Sequence, residues 1–593
     1  MVVGRGWAVA AVVVFALSGC SVFASEPGPE EITRDFLDAL AAGDTARAAG
    51  LTDTPDAARP VLDQARAALR PESIGVTLHR AHAPSKSTTA TARYRLDWRL
   101  PHGRTWSYDG DAQLTSADGR WRVRWQPSVL HPRLAQQQEI TLRTQQPDRA
   151  PVLDRDGETL LAPDRVVSVL LDPAKAGDVR KVAAALATAL KQFEPGITEQ
   201  SIVDGPKQPV VTLRQSDYQR IKPAIYDLPG VRFSEQERLL PADKSLGEQI
   251  LPAIRSTVDE RVEGAAGWRI VTVTPTGSEI AELHNQPAQP ADAVTATLSK
   301  ATQAAAEAAL DGVEVPAAIV ALQPSTGELL AVAQNAAADV QGPIALSGRY
   351  PPGSTFKIAT AAAALTTGVT RADAVVDCPG TTTIEGRLIP NDGRFALGSV
   401  PLSTAFAHSC NTTFARLSTQ LPPAALTDAA RDLGIGADFV IPGLTTITGS
   451  VPQAGNTIQQ AENGFGQGTV LASPFGMALA AATVASGRTP VPTLLRGTPT
   501  AASQVGRPLR PDVLAALRSM TRAVVTGGTA GVLAQLPEVH GKTGTAQFGD
   551  GSQSHGWFVG YAGDLAFAVL LVGGGTSAPA VQAAHRFLTA VGS

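Results

Sequence analysis

Short apolar runs at both ends of the C-terminal half constrain the fold of this chain most. Ala318 to Leu322 and Leu329 to Ala333 flank the turn Pro324-Ser325-Thr326-Gly327 and read as two buried strands. Far along the chain, Gly544 to Gln547, Trp557 to Tyr561 and Phe567 to Val572 read as further strands of the same antiparallel sheet. Ala-rich helical stretches lie between them, including Ile358 to Leu365 and Phe475 to Val484. The segment 315–593 is therefore expected to be one α/β domain with an antiparallel sheet flanked by helices.

Upstream, the pattern predicts a small α+β domain over 27–140. Ile32, Phe36, Leu37 and Leu40 fall at helical spacing and Gly43 follows as a stop. A second helix is expected from Pro60 to Leu69. From Ala92 the period becomes two: Ala92, Tyr94, Leu96, Trp98 and Leu100 are apolar. Asp118-Gly119 marks a hairpin turn, after which Trp121, Val123 and Trp125 alternate. Arg93, Arg95, Arg99, Arg122 and Arg124 lie on the opposite face, read as a solvated sheet surface. A third segment, 148–295, follows a linker and ends at the Pro-rich stretch Asn285 to Pro290. The Ala-rich Leu298 to Leu310 is a strong helix former. The chain is thus multidomain α+β, as 593 residues predict.

The N-terminus reads as an export signal. Arg5 precedes the apolar stretch Trp7 to Leu17, which is too short for a comfortable membrane span. Leu17-Ser18-Gly19-Cys20 resembles the lipobox of bacterial lipoproteins. That resemblance implies a signal peptide over 1–19 and a lipidated Cys20, with the rest anchored at the extracytoplasmic face of the cell membrane. A net charge of -4 gives no electrostatic reason to expect nucleic acid. The nine histidines show no metal-ligand spacing, so neither a metal nor a cofactor is expected.

Three short motifs in the last domain carry chemistry. In the first, Ser354-Thr355-Phe356-Lys357, a preceding Pro351-Pro352-Gly353 places Ser354 at a helix start. Lys357 then lies one turn on, beside the hydroxyl. Serine becomes a nucleophile when a neighbour takes its proton, and lysine can do so once its pKa is lowered. In the second, Ser409-Cys410-Asn411, a hydroxyl that can relay a proton sits two residues from an amide. In the third, Lys542-Thr543-Gly544-Thr545, a cation and two hydroxyls suit a carboxylate, and Gly544 lets a substrate backbone approach.

Taken together and in this order, the motifs resemble the S-x-x-K, S-x-N and K-T-G set of penicillin-binding proteins and β-lactamases. Cys410 stands where Asp is common, which argues mildly against a class A β-lactamase. Phe465-Gly466-Gln467-Gly468, Ala472-Ser473-Pro474, Gly527-Gly528-Thr529-Ala530 and Gly556-Trp557-Phe558-Val559-Gly560-Tyr561 resemble the transpeptidase domain of class B penicillin-binding proteins. Arg149-Ala150-Pro151-Val152-Leu153-Asp154-Arg155-Asp156-Gly157 resembles the opening of their dimerisation or pedestal domain. The Trp121–Trp125 run near His131-Pro132 resembles the NTF2-like domain of the methicillin-resistance type.

This resemblance implies a monofunctional serine D,D-transpeptidase or carboxypeptidase acting on peptidoglycan stem peptides that end in D-Ala-D-Ala. It implies covalent inhibition by β-lactams, a link to antibiotic resistance, and work within a cell-wall synthesis complex. Ser354 would be the nucleophile, Lys357 the base, Ser409 the proton shuttle and Asn411 the orienting amide. Lys542 and Thr543 would bind the carboxylate. The N–H groups of Ser354 and Thr545 would form the oxyanion hole. A class D-like β-lactamase and a β-lactam-sensing receptor are the alternatives. His408 and His540 adjoin motifs but are left outside the catalytic set. Cys378 and Cys410 are the pair remaining once Cys20 is lipidated; a disulfide and two free thiols are both open.

Overall fold

The computed structural model describes residues 26–147, 149–205, 209–264, 266–289 and 292–592, so Cys20 and the signal segment lie outside the described residues. The chain forms two compact units.

The first holds residues up to 147 together with 266–289. Helix Pro29–Ala42 buries Ile32, Phe36, Leu37 and Leu40 and stops at Gly43, whose φ is 77°. The second long helix, Pro55–Leu69, starts five residues before Pro60 and carries that proline inside it. Pro55 already occupies the favoured first position, and Ala58, Leu62, Ala65 and Leu69 then share one buried face. An antiparallel sheet follows, with strands Ser73–His82, Thr89–Leu100, Arg104–Ala117 and Arg120–Val123 in that order. Alternation gives its inner face: Ala92, Tyr94, Leu96, Trp98 and Leu100 are buried. Asp118 and Gly119 both have positive φ, as a tight hairpin turn between twisted strands requires. On the outer face, Arg95 pairs with Asp97 and Asp109 and Arg93 with Asp109, so carboxylates interleave the basic stripe.

One hairpin returns to this unit from the stretch that the sequence reading placed within 148–295. Gly267–Val273 pairs with Glu139–Gln145 on one side and with Glu279–Gln286 on the other. Trp268 and Ile270 enter the first unit's core, which explains why the chain comes back.

The second unit holds 149–264 and 292–592 of the described residues. Its N-terminal part is a sheet built on the long strand Thr159–Leu171, which pairs with Val152–Leu153, Val211–Arg214 and Val231–Leu240. Helices Val179–Leu190 and Gln215–Ile225 close a core of Val167, Val169, Leu186 and Ile221. Asp154 is buried; its carboxylate accepts from the N–H groups of Asp156, Glu158 and Lys300. Next to it, Arg155 and Arg496 converge on Glu328 at 3.2 and 2.9 Å.

The remainder is the expected α/β arrangement. Five antiparallel strands, β1 (Ala317–Leu322), β2 (Leu329–Gln334), β3 (Val539–Phe548), β4 (Gln553–Ala562) and β5 (Leu565–Leu571), stand in the order β2-β1-β5-β4-β3. Every residue of β1 and β5 is buried, so both faces of the sheet are covered. Helix Pro474–Ser486, apolar all round, packs on β5 and β1, and Ala578–Val591 packs on β4 and β5. Strand β3 is left at an edge. Among the described residues, no helix is long and apolar enough to cross a membrane.

Candidate active site

Gly353 makes the site possible. Its φ is 52°, and a Cβ there would lie 2.6 Å from the Thr545 carbonyl of β3. The chain next makes a 3-10 turn, Gly353–Phe356, before helix α1 (Lys357–Thr367) begins. Ser354 therefore sits in a tighter turn than the α-helix start expected from the sequence. In 3-10 geometry, residues three apart eclipse one another. This brings Lys357 Nζ to 2.8 Å from Ser354 Oγ.

Lys357 is fully buried. Its Nζ also donates to Asn411 Oδ1 at 2.6 Å, to the Ser409 carbonyl at 2.8 Å and to Ser409 Oγ at 3.1 Å. Burial first, and the Lys542 charge second, hold its pKa well below the usual lysine range. Oxygen ligands thus orient an amine that the low-dielectric surroundings keep from holding its proton firmly.

Ser409 and Asn411 come from the link between helices α2 (Leu402–Ala407) and α3 (Asn411–Thr419). Ser409 has a φ of 64°, and Asn411 opens α3. Behind them, Cys410 is disulfide-bonded to Cys378 with Cα atoms 6.1 Å apart. Thr412 and Thr413 donate to the carbonyls of Pro379 and Asp377, so this link is stitched to the Cys378 segment on both sides of the bridge.

From β3, Lys542 reaches Ser409 Oγ at 3.0 Å and the Thr543 carbonyl at 3.0 Å. It is fully buried, and that burial lowers its pKa to about 7. The Ser409 hydroxyl thus bridges two lysine amines, and Ser354, Lys357, Ser409 and Lys542 form an unbroken hydrogen-bonded chain. Thr543 Oγ1 lies 2.6 Å from Thr529 Oγ1. Gly544 is needed at the nucleophile turn. A Cβ there would come within 2.8 Å of the Pro352 carbonyl and Thr355, so the glycine admits that turn. Thr545 faces the same turn.

All eight predicted site residues of the three motifs are therefore brought together. Ser354, Ser409, Asn411, Thr543 and Thr545 line a groove of about 1280 Å³, bounded on its far side by residues 387–395. An Arg387–Glu462 ion pair of 2.9 Å spans part of that rim. His408 also lines the groove, whereas His540 stacks on Tyr561 and is pushed to a lower pKa by burial. Sequence reasoning gave no role to Thr529 or Gln467. Their glycine-rich motifs were visible, but nothing in one dimension says that they meet β3. Among the described residues there is no cluster of His, Cys, Asp and Glu able to hold a metal.

Comparison with known proteins gives two family matches. Residues 317–589 match the penicillin binding protein transpeptidase domain, and 28–138 match the NTF2-like N-terminal transpeptidase domain. Peptidoglycan D,D-transpeptidase PbpA of Mycobacterium tuberculosis is 29% identical over 289 residues, covering 41% of this chain and 58% of that protein. The chain thus matches less than two thirds of that relative's length. Penicillin-binding protein 3 of Bacillus subtilis is 24% identical over 535 residues and 76% of each chain. In fold, the chain is similar to a solved structure of Helicobacter pylori, titled as a complex between penicillin-binding protein PBP2 and MreC. The TM-score is 0.60 at 17% identity, over 76% of this chain and 99% of that one. The chain thus carries a penicillin-binding-protein transpeptidase domain behind an NTF2-like N-terminal transpeptidase domain, and its relatives are named as penicillin-binding proteins and peptidoglycan D,D-transpeptidases.

Proposed function

We propose that this protein is a serine D,D-transpeptidase that cross-links peptidoglycan and is acylated by β-lactams. The observation that carries the reading is the 2.8 Å contact between Ser354 Oγ and the buried, pKa-lowered amine of Lys357.

In this reading the donor stem peptide lies along β3. Its terminal carboxylate meets Lys542 and the hydroxyls of Thr543 and Thr529. Neutral Lys357 takes the Ser354 proton as Oγ attacks the carbonyl of the penultimate D-Ala. The tetrahedral oxyanion is held by the N–H groups of Ser354 and Thr545. As the C–N bond breaks, the proton passes from Lys357 through Ser409 to the departing amine, and Asn411 keeps Lys357 in line. An amine from a second stem peptide then attacks the acyl ester, gives up a proton along the same chain, and releases Ser354. Water in place of that amine gives carboxypeptidase activity from the same intermediate.

Cys20 is proposed to carry a lipid that holds the enzyme at the outer face of the cell membrane, with no second catalytic domain and within a cell-wall synthesis complex. Intact-mass analysis after incubation with a penicillin tests the function. A stable adduct on Ser354, absent in Ser354→Ala, is expected. Rapid recovery of unmodified protein with hydrolysed drug would instead identify a β-lactamase.

A further inference from the structure

The segment Phe465-Gly466-Gln467-Gly468 has no part in the reaction above, yet it touches both halves of the site. The Gly466 carbonyl accepts from the N–H of Gly353, one residue before the nucleophile, at 2.9 Å. Gly466 and Gly468 have φ of 75° and 66°. Between them, Gln467 turns its amide toward β3. Its Oε1 accepts from the backbone N–H of Gln547 at 2.9 Å, and its Nε2 donates to the Gln547 carbonyl at 3.2 Å. One side chain thereby occupies both backbone groups that Gln547 turns to the open edge, as an added strand would.

In an antiparallel ladder, residues facing one side alternate with those facing the other. Gln547 faces outward, so Thr545 and Thr543 do too. The Thr545 carbonyl does lie on that side, against Gly353. A donor whose carboxylate is held at Lys542 and Thr543 runs antiparallel to β3. Its earlier residues pass Thr545 and, two residues later, reach Gln547. There the strand edge is already taken.

We propose that Gln467 is a specificity-determining residue that caps the edge of β3. It confines strand-like pairing of the donor peptide to the outward backbone groups of Thr545 and the outward N–H of Thr543, whose carbonyl already accepts from Lys542 Nζ. Residues further from the scissile bond leave the strand and pass into the wide groove beside Arg387 and Glu462. The inference rests on the transpeptidase reading.

The test uses the whole protein and peptides ending in D-Ala-D-Ala, lengthened at the N-terminus one residue at a time, with D-Ala release followed as kcat and KM. For the wild type, kcat/KM climbs with length and levels off once the donor passes Thr545. In Gln467→Ala the climb continues for two more residues. The longest peptide gains about 3- to 10-fold over the shortest, through KM, as the net worth of one or two new hydrogen bonds predicts. Gln467→Glu keeps the acceptor for the Gln547 N–H but sets a carboxylate against its carbonyl, and gives a smaller gain. An unchanged length profile in both variants overturns the proposal. So does an equal loss across every peptide and in penicillin acylation, which would mark Gln467 as scaffolding. Failure of the wild type to form a penicillin adduct or to release D-Ala from any peptide would overturn the functional reading instead.

Discussion

Ser409 sits at a φ of 64°, where a residue with a Cβ is uncommon. This conformation turns both its carbonyl and its hydroxyl to Lys357 and leaves the hydroxyl within reach of Lys542. The two lysines should then set opposite limbs of the pH profile. Lys357 works as a base only when neutral, so acylation rises with pH as it loses its proton. Lys542 attracts a carboxylate only when charged, so acylation falls as pH passes its free-enzyme value of about 7. In Lys542→Arg, the guanidinium stays charged and the falling limb should vanish, though the rate is lower. Second-order rates of penicillin acylation across pH measure this, and a falling limb retained in the variant would remove Lys542 from the assignment. Lys357→Ala should slow acylation by about 10²- to 10⁴-fold, the usual loss of a general base. Stopped-flow labelling measures it, and a loss under tenfold would assign the base elsewhere. At this scale the sequence was highly informative. The proposed nucleophile, base, relay, orienting amide and carboxylate cation each demand a particular residue type, so Ser354, Lys357, Ser409, Asn411 and Lys542 stood out in the sequence, and the fold brings them together. Thr529 and Gln467 act by meeting β3 from distant segments, and a polar residue between glycines says nothing about what it will face.

Elements bring the motifs together. The 3-10 turn at Gly353–Phe356 was read from sequence as the start of an α-helix, because proline and glycine before an apolar run signal both equally well. The left-handed Gly353 and its contact with Thr545 decide between them. The open question at Cys378 and Cys410 was likewise one of distance, and the fold brings the two into a bridge. Their sequence separation is 32. In the chain-entropy model a loop of that length contributes about 3–4 kcal/mol. Replacing both cysteines by serine should lower thermal stability accordingly, and loosening of Ser409 should slow acylation beyond any change in unfolding. A melt with unchanged midpoint would show that the bridge contributes nothing. Gly466→Ala should act more sharply. A Cβ there would lie 1.9 Å from the Gly353 carbonyl, so the nucleophile turn must shift. We expect folded protein, judged by circular dichroism, with penicillin acylation reduced at least tenfold, about 1.4 kcal/mol in barrier.

At the level of the whole molecule, the antiparallel sheet could be read from its apolar runs because both of its faces are covered. The return of Gly267–Gln286 to the first unit could not. A strand's partner is set by which edge is free, and Trp268 and Ile270 would suit any apolar core. Cys20→Ala tests the proposed anchor: membrane fractions should lose the protein while the released chain still forms its penicillin adduct. Unchanged membrane retention and acyl labelling would rule the lipid out. The position of β3 bears on solubility as well as on catalysis. An unpaired strand edge invites the edge of another molecule, and many proteins blunt theirs with charge or proline. Here the outward groups of Thr543 and Thr545 lie inside a groove whose rim is formed by residues 387–395, and Gln467 closes the next position along. A recess of this kind suits a single extended peptide better than a strand still joined to its own sheet. In the transpeptidase reading, the recess that takes the stem peptide is also what leaves the β3 edge little open length for the sheet of a second molecule.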